Sequence, residues 1–248
     1  MTVRLPAAAA AEFIGTFLLC FVGILAIHFA PSRPEAAVGL LAVALAHGIA
    51  LSVAVTAAMP TSGGHINPAV TIGFLVTGKI KPISALVYVV AQLAGATAAA
   101  LAVYVLLGAD EESAAVVAKG TPKFDPSVFT PGMVLLAEII ATGLLVFAVW
   151  GSAADPRARN VGGFAVGLTV VADILAIGPI SGGAMNPARV FGPALVAGGL
   201  WDQHWVYWVG PLVGGGIMAI FYHLVLWPRD AQRKIDPDSM QVPPSQRP

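Results

Sequence analysis

Apolar residues gather in stretches of about 20 that recur along most of the chain, each long enough to cross a hydrocarbon core roughly 30 Å thick. Six full spans can be read, at about 7–29, 37–58, 82–107, 132–152, 160–178 and 205–227. Two shorter apolar pieces remain, 67–77 and 186–197, which open at the NPAV of GGHINPAV and the NPAR of GGAMNPAR and end at Gly78 and Gly198. At about 1.5 Å per residue each covers only half a bilayer. The pattern predicts an all-α membrane protein with six transmembrane helices and two re-entrant half helices. The first stretch resembles a secretory signal flanked by Arg4, but it is too long for one and carries Glu12, so a retained helix is expected.

Composition agrees. The 248 residues are 57% apolar and 10% charged, against about a quarter charged in a soluble domain, so lipid is the expected solvent. One membrane domain is expected over residues 1–228. From Pro228 the chain turns polar and Pro-rich, and 229–248 is read as a disordered cytoplasmic tail. Residues 108–131, with DEE at 110–112 and several Pro and Gly, are read as the longest loop. Basic and acidic residues number 13 each, with no basic face to recommend nucleic acid. Cys20 stands alone, which excludes a disulfide framework and a cysteine metal cluster; it is read as a packing thiol, and no metal or cofactor is expected.

Loop cations set the orientation. With the N-terminus inside, Arg4, Lys79, Lys81, Arg157, Arg159, Arg229, Arg233, Lys234 and Arg247 are cytoplasmic, and Arg33, Lys119 and Lys123 lie outside. That bias places both termini in the cytoplasm. The Ala, Gly and Val bias suits a plasma membrane, although an intracellular one is open.

The chain also repeats. AEFIGTFLL at 11–19 returns as AEIIATGLL at 137–145, an offset of 126 residues, and NPAV at 67 returns as NPAR at 186, an offset of 119. Two related halves follow, about 5–107 and 131–228. Each holds three full spans and a half span, and three is odd, so the second half is inverted relative to the first. In inverted repeats, interrupted helices in corresponding positions point to the substrate path near the midplane.

Asn67 and Asn186 stand where each half helix begins, with Pro68 and Pro187 in the first helical position and Ala69 and Ala188 next. Asn caps unpaired backbone donors, and Pro has no N–H to waste there. Inversion brings the two N-termini head to head at mid-membrane, each carrying about half a positive charge, which repels cations. The Asn amides are expected to leave NH₂ groups free to donate to a passing oxygen. Arg189, one turn into the second half helix, is a costly intramembrane charge that needs a wet path; its counterpart in the first half is Val70.

The paired NPA motifs, each behind a GG pair and each followed by an apolar run ending at Gly, resemble those of the aquaporin, or major intrinsic protein, family, over residues 5–228. The resemblance implies a right-handed bundle of six tilted helices, two half helices inside it, one pore per subunit and a homotetramer. Family spacing adds His47, Ile174 and Gly183 to Arg189 as a selectivity filter. This quartet, with VADILA beside it, resembles tonoplast intrinsic proteins, including members associated with ammonia as well as water. Ile174 and Gly183 would leave a wide, partly apolar constriction, with Arg189 and His47 donating to the permeant. Residues 108–131 lack the His that ammonia-associated members have, and Asp173 replaces their Asn, placed to cap backbone groups behind the wall. Glycerol facilitators carry an Asp after NPAR and a base after FGP; here these are Val190 and Ala194, which argues against glycerol. Tyr207 and Trp208 match the aromatic pair of water-type members, or anchor at the lipid interface with Trp201 and Trp205.

Glu12 and Glu138, equivalent in the repeat, are read as acceptors for the backbone donors of the re-entrant loops rather than as a proton relay. His65 is expected to orient the first loop, while His28, His204 and His223 lie near span ends. Gly15, Gly95, Gly143, Gly210 and Gly214 are expected at helix crossings. The functional expectation is passive conduction of water, with ammonia a second permeant and ions and protons excluded; a structural or adhesive membrane protein is the alternative.

Overall fold

The computed structural model describes residues 4–30, 36–158 and 161–227. The expected disordered tail at 229–248 lies outside these residues, as do Arg33, Arg159, Arg229, Arg233, Lys234 and Arg247. Described residues form helices α1 (Leu5–Phe29), α2 (Ala36–Ser62), α3 (Pro68–Val76), α4 (Pro82–Leu106), α5 (Glu111–Gly120), α6 (Pro131–Val149), α7 (Gly163–Ser181), α8 (Pro187–Ala197) and α9 (Val206–Phe221). Wider π turns, Trp150–Ala154 and Tyr222–Leu226, extend α6 and α9. No strand occurs among the described residues. Six helices, α1, α2, α4, α6, α7 and α9, are long and apolar enough to span a bilayer.

Polarity is arranged for lipid. Large apolar side chains such as Ile14, Leu86, Val105, Leu136, Ile140 and Leu224 point outward, while Glu12, Gln92, Glu138, Asn67, Asn186 and Arg189 are buried. A water-soluble protein shows the reverse, since burying charge and exposing apolar surface both cost free energy in water.

The repeat is visible in the packing. In the first half α1 packs on α2 and α4; in the second, α6 packs on α7 and α9. The halves interlock because each half helix packs on the last long helix of the other half, α3 on α9 and α8 on α4. Helices α2 and α7 cross where Gly48 and Gly167 meet, and a Cβ built on either would stand 2.5 or 2.2 Å from the other's carbonyl oxygen. Gly95 and Gly214, 119 residues apart, pack in the same way on the backbone of Phe13 and Ile139. Gly143, expected at a crossing, has only ordinary contacts around it.

The 108–131 segment is more ordered than a loop. Asp110 caps α5 by accepting from Ser113 N–H at 2.9 Å, and Val116, Val117 and Gly120 pack against Ile24 of α1. The Ser113 backbone and hydroxyl hold the exposed Asp110 carboxyl below its ordinary range. The sequence carried this helix, with Asp110, acids in the first turn and Lys119 in the last, but neighbouring Pro and Gly disguised it. At the opposite end Lys79 lies 3.6 Å over the ring of Trp227, and Arg157 binds Asp155 and the Leu226 carbonyl. These contacts put the turn after α3 and the ends of α6 and α9 on one face, consistent with grouping Lys79 and Arg157 together.

Candidate functional site

The two Asn-Pro turns meet at the centre of the bundle. Asn67 caps α3 by accepting from Ala69 N–H at 2.8 Å, and Asn186 caps α8 by accepting from Ala188 N–H at 3.0 Å and Arg189 N–H at 3.4 Å. Each amide then crosses to the other turn: Asn67 Nδ2 donates to the Met185 carbonyl at 2.8 Å, and Asn186 Nδ2 donates to the Ile66 carbonyl at 2.9 Å. An amide nitrogen has two hydrogens, so each Asn spends one on this staple and keeps one. The expectation of wholly free NH₂ groups is corrected to that extent.

The staple depends on backbone that sequence reading missed. Ile66 and Met185 have φ of 55° and 51°, a left-handed conformation costing about 1–3 kcal/mol and unusual above all for a β-branched residue. Their carbonyls meet the opposing Asn while their N–H groups face a buried carboxyl. In the first half Glu12 accepts from Ile66 N–H at 2.6 Å, His65 N–H at 2.9 Å and Ser62 Oγ at 2.6 Å. In the second, Glu138 accepts from Met185 N–H at 2.7 Å, Ala184 N–H at 3.0 Å and Ser181 Oγ at 2.6 Å. Tyr88 and Tyr207 complete the match by donating to the Ser62 and Ser181 carbonyls, both at 2.8 Å. Tyr207 is thus buried in the support of its loop and is no interface anchor, whereas Trp201 and Trp205 are exposed.

Between the halves lies a narrow cavity lined by residues of both. Leu19, Leu51, Leu145, Val149, Val166 and Val170 give it apolar walls, and Asn67, Asn186, His65, His47, Ile174, Gly183 and Arg189 also line it. Every residue expected at the pore centre or filter is therefore in one place, except that Pro68, Ala69, Pro187 and Ala188 stay behind the lining as the first turns of α3 and α8. His65 is held by Thr71 Oγ1 at 3.1 Å and stacks on Phe74, with ring centroids 4.3 Å apart.

His47 has a task other than the expected one. Arg189 Nη2 stands 2.9 Å from its Nε2, and a guanidinium only donates, so Nε2 must carry the lone pair. The proton then sits on Nδ1 and goes to the Val43 carbonyl at 2.8 Å. Both ring nitrogens are spent on the protein, leaving His47 to hold Arg189 rather than to donate. Among the described residues Arg189 Nε and Nη1 have no hydrogen-bond partner. Asp173 is not among the residues lining the cavity, and among the described residues its buried Oδ2 has no hydrogen-bond partner, so the expected backbone cap is not seen at that oxygen. Among the described residues no group of His, Cys, Asp and Glu could hold a metal ion.

Comparison with known proteins agrees with this geometry. The family model described as "Major intrinsic protein" matches residues 1–222. Aquaporin TIP2-1 of Arabidopsis thaliana is 46% identical over 219 residues, covering 86% of this chain and 84% of that protein. Aquaporin TIP4-4 of Zea mays is 45% identical over 223 residues, covering 87% and 84%. The aquaglyceroporin of Plasmodium falciparum superposes with a TM-score of 0.78 at 25% identity, over 90% of this chain and 97% of that one. Stapled half helices between inverted halves and a family match over nearly the whole described fold lead to one assignment: this multi-pass integral membrane protein belongs to the major intrinsic protein family of channels.

Proposed function

We propose that the chain is a passive, osmotically driven water pore that excludes ions and protons and works without a cofactor. The observation that carries this is the reciprocal staple of Asn67 and Asn186 at the cavity, where two helix N-termini face each other. Their combined positive potential disfavours cations, while the remaining amide hydrogens serve a neutral oxygen. Arg189 Nε and Nη1 offer further donors at the filter formed with His47, Ile174 and Gly183. The similarity to proteins named aquaporins supports water as the permeant. A structural or adhesive role is less favoured, because such a role needs neither cavity nor staple.

Ammonia is proposed as a second permeant, since Ile174 and Gly183 leave one side of the constriction apolar and small. We propose a homotetramer built from the 1–228 unit, with both termini cytoplasmic. The plasma membrane suggested by composition competes with the tonoplast suggested by the names of the TIP-type relatives, and we favour the latter. Stopped-flow shrinkage of proteoliposomes tests the main reading: faster shrinkage than empty vesicles is expected, and equal rates would remove it. Internal alkalinisation after an ammonium gradient tests the ammonia reading separately.

A further inference from the structure

We propose that Gly23 is a positioning residue of the outer constriction: its missing side chain is the seat of the His47 imidazole, and through that seat it fixes where the Arg189 guanidinium stands. The inference rests on reading His47 and Arg189 as part of the filter.

Gly23 lies on α1, one turn beyond the cavity-lining Leu19. A Cβ built there would stand 2.4 Å from His47 Nε2, 2.9 Å from Cδ2 and 3.0 Å from Cε1. The three nearest atoms all belong to that ring, and none is backbone. Gly23 therefore differs from Gly95 and Gly214, whose absent side chains admit a neighbouring helix backbone. The edge of the ring that Gly23 accommodates is the one that accepts from Arg189 Nη2. The ring is not free to retreat without loss, because its Nδ1 is tied to the Val43 carbonyl at 2.8 Å. Any side chain at position 23 has to push Nε2 out of line with the guanidinium.

The repeat offers an independent check. With the offsets of 126 and 119, Gly23 corresponds to Val149 and His47 to Val166, and both valines line the same cavity. One half thus pairs a large ring with no side chain, and the other pairs two of middle size. The volumes are complementary, as expected where close packing lets one side grow only as the other shrinks.

The test uses full-length protein in proteoliposomes, with water and urea permeability measured for wild type, Gly23→Ala, His47→Val, and both Gly23→Ala/His47→Val and Gly23→Val/His47→Val. Gly23→Ala is expected to change the water-to-urea ratio by about tenfold, equivalent to about 1.4 kcal/mol between the two barriers. In the His47→Val background the same change at position 23 is expected to do almost nothing, a non-additivity that marks direct contact. Equal effects in both backgrounds would mean that Gly23 serves helix packing alone and would overturn the proposal. Nitrogen NMR of the imidazole in lipid reads the seat without requiring conduction. Loss of the single Nδ1–H form in Gly23→Ala is expected, and an unchanged His47 spectrum would also overturn it. A wild-type protein without water flux would instead sink the functional reading, leaving the spectroscopic result to judge the seat.

Discussion

The two re-entrant turns are built on one plan and finished differently. Both present a carboxyl from the first helix of their half, a serine, a tyrosine and a left-handed residue before the Asn, with matching bonds in each. The first turn adds Gln92, whose Nε2 donates to Glu12 at 2.7 Å and to Thr71 at 3.0 Å, and Thr16, which donates to the Glu12 carbonyl at 2.8 Å. The second has Pro211 and Val190 in place of Gln92 and Thr71, and among the described residues its Thr142 hydroxyl has no partner. What the second turn has instead is Arg189 in place of Val70. Shared parts hold the loops; the parts that differ are where chemistry was added.

Removing the shared acceptor breaks the comparison most severely. Glu12→Ala leaves two backbone N–H groups, Ser62 and Gln92 without their acceptor, at about 1–3 kcal/mol for each buried group left unsatisfied. A large fall in folded yield and melting temperature in detergent is expected, with Glu138→Ala, which strands fewer donors, falling less. Equal losses would show that Gln92 adds nothing.

Arg189→Val gives the second turn the residue of the first. We expect water flux to persist while urea and proton leak rise about tenfold, a barrier change of about 1.4 kcal/mol, measured by stopped flow and a trapped pH dye. An unchanged leak would remove Arg189 from the filter.

Gln92→Leu makes the first turn as sparse as the second. Glu12 and Thr71 each lose one donor, but the buried Gln92 Oε1, which has no partner among the described residues, is removed as well. A modest loss of about 1 kcal/mol in an unfolding assay is expected, with water permeability retained.

The smallest effect belongs to the end of α6. Burial would raise the Asp155 carboxyl, but the Arg157 side chain and N–H bound to it hold it below the ordinary range. Its stabilisation is therefore complete above the unfolded value of about 3.9 and is lost as pH falls through the lower folded value. Melting temperature should drop more steeply below about pH 4 in wild type than in Asp155→Asn, by an amount worth under about 1 kcal/mol because Arg157 is half exposed.

Much of the site was legible in the chain. Spans were readable because lipid demands continuous apolar runs, the half helices because they are too short to cross, and the repeat because Glu12 and Glu138 recur with their neighbours. Ser62, Ser181, Tyr88, Gln92 and Gly23 were not recognised, since nothing local marks a serine or glycine that matters only for what faces it. The helix in 108–131 was missed because its turn residues outweighed a short polar helix in the reading.

The amino-acid order by itself determined the class, the inversion and the meeting of two Asn-Pro turns, because odd span counts and helix start signals are properties of contiguous sequence. Only tertiary structure decided how the meeting is held: left-handed Ile66 and Met185, amides that staple the opposing turn, and a His47 whose lone pair goes to Arg189. Such features depend on distance and direction between groups far apart in the chain, which no local pattern encodes.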